Sequence, residues 1–114
     1  MKERYEVVNM TGYDVKVYRN GICVRVYPRG GSLRLVEEME EHDMIDENVP
    51  LHLKTMRCGA LPPKIKGRIY IVSILVAMMC PDRDDFVVMG SYVRDFNGSI
   101  IGCAGLTRVK VSSS

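Results

Sequence analysis

The sequence Ile69-Tyr-Ile-Val-Ser-Ile-Leu-Val-Ala-Met-Met-Cys80 is the longest apolar run of the chain, and Pro81-Asp-Arg-Asp-Asp85 follows it directly. Its beginning is β-branched and aromatic, which favours a buried strand. The part after Ser73 is rich in Leu, Ala and Met, which favours a short helix at about 73–80 with the Ser73 hydroxyl as its cap. The run is shorter than the roughly 20 residues that cross a membrane. It therefore predicts a core strand–helix unit that ends in a charged loop.

Alternating polar and apolar residues predict strands on both sides of this unit. They are expected at 5–9, 14–18, 22–27, 33–36, 51–56, 86–89, 92–95, 99–104 and 106–111. Asn20-Gly21 and Asn97-Gly98 are hairpin signals, because both residue types tolerate positive φ. The amino-terminal third should form an antiparallel meander, and 112–114 a loose tail. We predict an α+β fold, a largely antiparallel sheet with one or two short helices; a small barrel without a helix is the alternative.

At 114 residues, of which 46% are hydrophobic, the chain should fold as a single domain over 1–114. Its first residues lack an apolar segment, so we expect no signal peptide and a cytoplasmic protein. The four cysteines are scattered and show no ligand spacing with the two histidines. We therefore expect four buried, reduced thiols and no zinc site.

The charges are distributed unevenly. Seven of the fourteen acidic residues lie within 37–47, so the remainder carries 16 basic against 14 − 7 = 7 acidic residues, or +9. We expect this acidic segment to be a surface loop or a frayed helical turn closed by Pro50; a phosphate mimic is the less favoured interpretation. Ten of the sixteen basic residues are arginine, whose planar guanidinium pairs with phosphate, so a nucleotide-like ligand is favoured.

The chain contains no motif of a known catalytic class. Asp82, Asp84 and Asp85 could offer oxygen ligands to a cation, but Arg83 between them would repel it. The alternative is that these carboxylates pair with nearby arginines and fix the loop. Ser73 has no candidate base and is better explained as a cap. We therefore predict a protein that is not an enzyme and has no metal or cofactor.

Turns and strand ends are where binding residues concentrate, and several arginines fall there. An aromatic face beside guanidinium groups suits a base with attached phosphates, and aspartates can accept hydrogen bonds from ribose hydroxyls. Arginines that alternate with aspartates do not form the continuous basic stripe that nucleic acid needs. The predicted ligand-binding residues are Arg57 (from a neighbouring subunit in one arrangement), Arg83, Asp85, Phe86, Arg94, Asp95 and Asn97.

Five segments carry a family resemblance. They begin at Asn9-Met-Thr-Gly-Tyr, Pro28-Arg-Gly-Gly, Tyr70-Ile-Val-Ser, Pro81-Asp-Arg-Asp-Asp and Val93-Arg-Asp-Phe-Asn-Gly. Together they resemble a family of small phage and prophage proteins, which is similar to the Thoeris anti-defence sponges of the first type. The resemblance implies a protein that binds cyclic ADP-ribose-type signals of bacterial TIR-domain enzymes and holds them intact in the infected cell. It also implies a homo-oligomer with pockets between subunits.

A second function class stays open beside the sponge, namely a protein-binding inhibitor or a small structural phage protein. Recovery of an intact nucleotide after heating the loaded protein would indicate a sponge. An altered nucleotide would indicate an enzyme, and no depletion would favour a protein partner.

Overall fold

The computed structural model describes residues 4–112, which form eight strands and one short helix. In chain order these are β1 (Glu6–Asn9), β2 (Val15–Arg19), β3 (Ile22–Tyr27), β4 (Leu35–Asp46), β5 (Val49–Cys58), β6 (Arg68–Ile71), α1 (Ile74–Met79), β7 (Phe86–Arg94) and β8 (Ile100–Thr107). The described chain is thus mainly β with a helix at the predicted place. Most of the predicted tail at 112–114 lies outside the described residues.

Six strands form one sheet in the order β1-β6-β7-β8-β2-β3, and β4 and β5 form a separate ribbon. The pairs β1–β6, β6–β7 and β2–β8 are parallel, whereas β2–β3, β7–β8 and β4–β5 are antiparallel. The sheet is therefore mixed: the predicted fold is right in its mainly β character with a short helix, and its antiparallel arrangement holds for three of the six strand pairs. Parallel neighbours need long crossovers, and α1 lies in the crossover from β6 to β7.

The amino-terminal third is not the predicted meander. Only its β2–β3 hairpin is right, with Asn20 and Gly21 at φ 52° and 78°, as a two-residue hairpin turn requires. β1 instead pairs with β6, about 60 residues later in the chain, and β4 pairs with β5. Local alternation identifies strands but carries no information about a partner that is distant in sequence.

The acidic segment at 37–47 is most of strand β4, so the prediction of a loop or frayed turn there is wrong. It pairs with β5 across a tight turn at Glu47 and Asn48, and the Asn48 amide donates to the Asp46 carboxylate. Pro50 lies inside β5 rather than before it. Cross-strand pairing outweighs the low strand preference of acidic residues. We call residues 37–55, the outer part of this ribbon, the arm.

The two strand pairs predicted beyond the charged loop are each one continuous strand, β7 and β8, and residues 108–111 are not in a strand. Gly90 does not break β7. It faces Gly105 across the pair, and a Cβ at Gly90 would overlap the Thr107 side chain. Glycine is therefore needed here for close approach of the strands rather than for a turn. The Asn97-Gly98 hairpin turn is confirmed, with Gly98 at φ 84°.

One face of the sheet packs against α1. Tyr70 and Phe86 from the strands, Val72 directly after β6, and Val76 and Ala77 from the helix form this buried cluster. The Ser73 hydroxyl accepts a hydrogen bond from the Val76 amide at 3.3 Å, so the predicted cap is confirmed. The central apolar run thus forms the core on both sides of Ser73.

The other face of the sheet closes on itself. All six strands contribute to a second cluster, whose centre of Val15, Ile71 and Cys103 is fully buried although no helix of residues 4–112 covers it. The outer strands β1 and β3 meet at one end, where the Asn9 carbonyl accepts from the Gly30 and Gly31 amides. The sheet is therefore an incompletely closed barrel that also carries a helix. It shares the helix with the predicted α+β fold and the curled sheet with the alternative of a small barrel.

Candidate functional site

A cleft lies at the end of the barrel where β1 and β3 do not meet. Two overlapping cavities of about 480 and 460 Å³ occupy it, which is the usual size for a small-molecule site. Both are lined by Arg4, Tyr5, Val7, Arg25 and Tyr27. The hydrogen bonds to the Asn9 carbonyl join β1 to the chain after β3 at the other end of the barrel. The cleft is therefore the part of the β1/β3 edge that stays open.

The floor and the rim of the cleft differ in chemistry. The floor is apolar and belongs to the barrel interior, where Val17, Ile69 and Leu106 line the second cavity. The rim carries guanidinium groups and tyrosine rings: Arg25 lies over the Tyr27 ring, with its guanidinium carbon 5.5 Å from the ring centroid. Such a rim offers flat partners for a planar group and bidentate donors for an anion.

Cations continue beyond the cleft around Tyr5. The guanidinium carbon of Arg108 lies 6.0 Å from the centroid of the Tyr5 ring, the second ring of the rim. The same guanidinium donates a hydrogen bond to the Asp84 carbonyl. Arg68 pairs with the Glu6 carboxylate through two contacts of 3.0 and 3.2 Å. Glu6 also lines the first cavity, and its carboxylate is paired with Arg68, so the arginines outnumber the acidic groups at this end of the barrel.

A further pocket of about 290 Å³ lies at the opposite end of β6. Its lining consists of apolar side chains with Ser73, Tyr13 and Tyr92. Burial raises the pKa of Tyr13, with a smaller contribution from the neighbouring Tyr92, so the Tyr13 ring stays neutral. Because this lining carries no positive charge, the pocket does not suit a phosphate-bearing ligand as the β1/β3 cleft does.

The structure brings three of the predicted site residues together, but as a closed cluster. Arg83 donates to both Asp85 oxygens at 2.8 Å, and its guanidinium carbon lies 4.4 Å from the Phe86 ring centroid. Arg83 also donates to the Pro62 carbonyl at 3.0 Å. Asp85 and Phe86 are 5% and 2% exposed. The alternative that this carboxylate pairs with an arginine and fixes the loop is confirmed for Arg83 and Asp85.

Three more predicted residues form the turn between β7 and β8. Asp95 accepts hydrogen bonds from the amides of Asn97 and Ser99 at 2.9 and 3.0 Å, and Arg94 donates to the Gly98 carbonyl at 2.8 Å. Short polar side chains commonly stabilise turns in this way. The side chains of Arg94 and Asp95 thus form hydrogen bonds within the turn.

Arg57 lies at a third place, on β5, with its guanidinium 3.8 Å from the Glu38 carboxylate. Phe86 and Arg94 begin and end β7, so they are about 26 Å apart at a usual rise of about 3.3 Å per residue. None of the seven predicted residues lines the β1/β3 cleft. They do not surround one pocket within a single chain, and their role in binding stays a prediction.

The cysteines differ in exposure. All four are free, but only Cys80 and Cys103 are buried, Cys58 is half-buried and Cys23 is exposed, so the expectation of four buried thiols is wrong for Cys23 and Cys58. Burial raises the pKa of the Cys80 and Cys103 thiols, which keeps them protonated at neutral pH. Within residues 4–112, no group of three or more His, Cys, Asp or Glu side chains is arranged to hold a metal ion.

Sequence reasoning missed the cleft, although one signal for it was present. Arg25 and Tyr27 alternate with Val24 and Val26, and Arg25 pairs with Val17, whose side chain packs into the barrel. An arginine in the inward phase of a strand is unusual. It marks a place where the interior opens to solvent, which here is the cleft.

No protein-family model, curated protein or solved structure matches this chain. Among the described residues, no helix is both long enough and apolar enough to cross a membrane.

Proposed function

We propose that this protein binds a nucleotide-derived signal of the cyclic ADP-ribose type in the β1/β3 cleft and sequesters it without cleaving it. In this role it is a phage-encoded anti-defence sponge that acts in the cytoplasm of an infected bacterial cell. The single observation that supports the proposal best is the rim of the cleft, where arginines and tyrosines surround an apolar floor.

The chemistry of the ligand matches that rim. Such a signal carries a flat purine, which needs an aromatic partner, and a diphosphate, which needs bidentate donors. Tyr5 and Tyr27 offer the rings, and Arg4 and Arg25 offer the guanidinium groups. Stacking of a base on an aromatic side chain contributes about 1–3 kcal/mol, and a buried charge–phosphate contact contributes more. The cleft therefore has the parts that a nucleotide requires.

The first experiment is calorimetry of the full chain with cyclic ADP-ribose isomers. We expect Arg25→Gln to weaken binding by about 2–5 kcal/mol, or roughly 30- to 5,000-fold, because a phosphate loses a charged partner. Tyr5→Ala should weaken it by about 1–3 kcal/mol because stacking is lost. Arg34→Gln is the matched control, since Arg34 is exposed and lies outside the cleft lining, and should bind as the parent does.

Arg94→Gln separates the cleft from the turn-based site. If Arg94→Gln abolishes binding while Arg25→Gln binds as tightly as the parent, the ligand lies at the β7–β8 turn and the cleft assignment is wrong. Heating the loaded protein and analysing the released nucleotide then tests sequestration. Intact nucleotide supports a sponge, an altered one contradicts it, and no depletion of any isomer would favour the alternative of a protein-binding inhibitor.

A further inference from the structure

Two of the four free thiols lie in contact. The Sγ atoms of Cys58 and Cys80 are 3.9 Å apart, although the two residues are separated by 22 positions in the sequence. The Sγ atoms of Cys23 and Cys103 each lie 3.6 Å from a backbone carbonyl oxygen instead. Within residues 4–112, which include all four cysteines, the fold thus brings one pair of thiols together.

Each thiol of this pair is positioned by a different element. Cys58 is the last residue of β5 and is paired with Leu35 of β4. Cys80 ends α1, where its amide donates to the Ala77 carbonyl and its own carbonyl accepts from the Arg83 amide at 3.0 Å. Both side chains pack into the helix cluster. Because backbone hydrogen bonds fix the chain on both sides, the two sulfurs are held next to each other.

The distance between the sulfurs suits a disulfide that has not yet formed. In a disulfide they lie about 2.05 Å apart, so a gap of 3.9 Å closes when each sulfur moves by about 1 Å. Rotation of the two side chains supplies a movement of this size. The contact therefore needs an oxidant and no rearrangement of the strands.

The two thiols differ in their access to solvent. Cys58 is half-buried, whereas Cys80 is 7% exposed. A small molecule from solution therefore reaches Cys58 first, and Cys80 is the neighbour that resolves the product. An accessible cysteine beside a second, resolving cysteine is the usual arrangement of a redox-sensitive pair.

The pair lies where the ribbon joins the barrel. Every residue of the arm is exposed, and the ribbon packs against the helix cluster at its base, through Leu35 and Cys58. A covalent bond from Cys58 to Cys80 joins this base to the end of α1. It therefore fixes the ribbon at the place from which the arm extends.

We propose that Cys58 and Cys80 are a redox-sensitive pair, which a small-molecule disulfide such as oxidised glutathione converts to a disulfide that fixes the ribbon to α1. In a reducing environment the pair rests as two thiols, as in the structure. The bond forms when the small disulfide accumulates. The proposal is independent of which ligand the cleft binds.

The oxidation consists of two exchange steps. The Cys58 thiolate attacks one sulfur of the small disulfide, whose S–S bond breaks and releases one thiolate. The Cys80 thiolate then attacks the Cys58 sulfur, and the second small thiolate leaves. The protons given up by the two cysteines end on the two released thiols. The cysteine pair loses two electrons, and the small disulfide gains them.

Peptide mapping of the native full-length chain tests the pairing. The chain is treated with oxidised glutathione, its remaining thiols are alkylated, and it is digested with trypsin. Cleavage after Lys and Arg places the four cysteines in four different peptides, 20–25, 58–64, 69–83 and 95–108. We expect mass spectrometry to find 58–64 joined to 69–83. Glutathione on the exposed Cys23 shows that the oxidant is active.

Thermal unfolding measures the effect of the bond. A disulfide that closes a loop of this length should raise the melting temperature of the oxidised parent by roughly 10 °C, and dithiothreitol should reverse the shift. Cys58→Ser should show no shift with the oxidant. Cys23→Ser is the matched control, since it leaves the pair intact, and it should shift as the parent does.

Three results overturn the proposal. The first is a native chain that carries glutathione on Cys23 but yields no joined peptide. The second is a joined peptide that forms only when the chain is oxidised in urea, because the native contact is then not its cause. The third is a Cys58→Ser variant that the oxidant stabilises as much as the parent. Circular dichroism shows whether this variant folds, Cys80→Ala replaces it otherwise, and the peptide map of the parent needs neither.

Discussion

At the scale of single residues, Arg83 and Asp85 form a buried ion pair with two hydrogen bonds of 2.8 Å. Both partners are largely buried, and Arg83 joins the loop at Pro62 to the start of β7. We expect Asp85→Asn to lower the free energy of unfolding by about 3–5 kcal/mol, because a buried guanidinium loses its counter-charge. Urea denaturation measures this. Asp84→Asn is the control: its partner Lys64 is exposed, and the effect should be far smaller.

Asp85 also predicts how the stability of the protein depends on pH. The hydrogen bonds from Arg83 lower the pKa of the Asp85 carboxyl. A group whose pKa is lower in the folded state stabilises the protein above its unfolded pKa, about 3.9 for Asp, and loses that effect as the pH falls through the folded value. The parent should therefore lose stability below about pH 4, and Asp85→Asn should lose less. Urea denaturation at several pH values between pH 2 and 5 measures the free energy of unfolding of both proteins. If that free energy falls equally with pH in the two, the prediction is wrong, because Asp84 titrates in both and only Asp85 differs.

At the scale of elements, α1 is a helix of six residues that depends on its cap. Ser73→Ala removes the acceptor of the Val76 amide and should cost about 1 kcal/mol, within a usual range of about 0.5–2. Ser73→Asn should restore most of it, since Asn also caps well. Thermal unfolding followed by circular dichroism checks the pair, and a Ser73→Asn variant no more stable than Ser73→Ala would argue against the cap.

Elements with a local signal could be predicted. The hairpin at Asn20-Gly21, the cap at Ser73 and the strand β3 depend on residues close in sequence, and all three are as expected. The acidic segment at 37–47 could not be predicted in this way, because its strand is stabilised by pairs with β5 that outweigh its own preference. A failure of this kind is expected wherever tertiary pairing decides.

At the scale of the whole molecule, Asn9 closes the barrel. It is 3% exposed, and its amide donates to the carbonyls of Tyr13 and Tyr27 at 2.7 and 2.8 Å while its oxygen accepts from Thr11. Each buried group left without a partner costs about 1–3 kcal/mol, so Asn9→Ala should destabilise strongly. It should also speed hydrogen exchange at the Gly30 and Gly31 amides, whereas Asn97→Ala at the exposed turn should not.

The seven predicted binding residues show the same limit at the largest scale. Arg83, Asp85 and Phe86 are close in sequence and do lie together, but Arg94, Asp95 and Asn97 lie at the other end of β7 and Arg57 lies on the ribbon. Turns and charges are local features of the sequence, so they do not predict how far apart these residues lie in the fold. The cleft joins Tyr5 and Arg25, which meet only because the sheet curls.

The sequence by itself determined the central strand and helix around Ser73, the two hairpin turns and the mainly β character, since each depends on propensities and side chains within a few residues. Only the tertiary structure decided that β1 pairs with β6, that β2 pairs with β8 and that the acidic segment is half of a ribbon. The physical reason is that the backbone N–H and C=O groups of a strand need a second strand to pair with. Many strands can provide those hydrogen bonds equally well, so the sequence of one strand does not specify its partner. Packing of all six strands around Ile71 selects the one arrangement that buries the core, and the cleft is where that arrangement stays open.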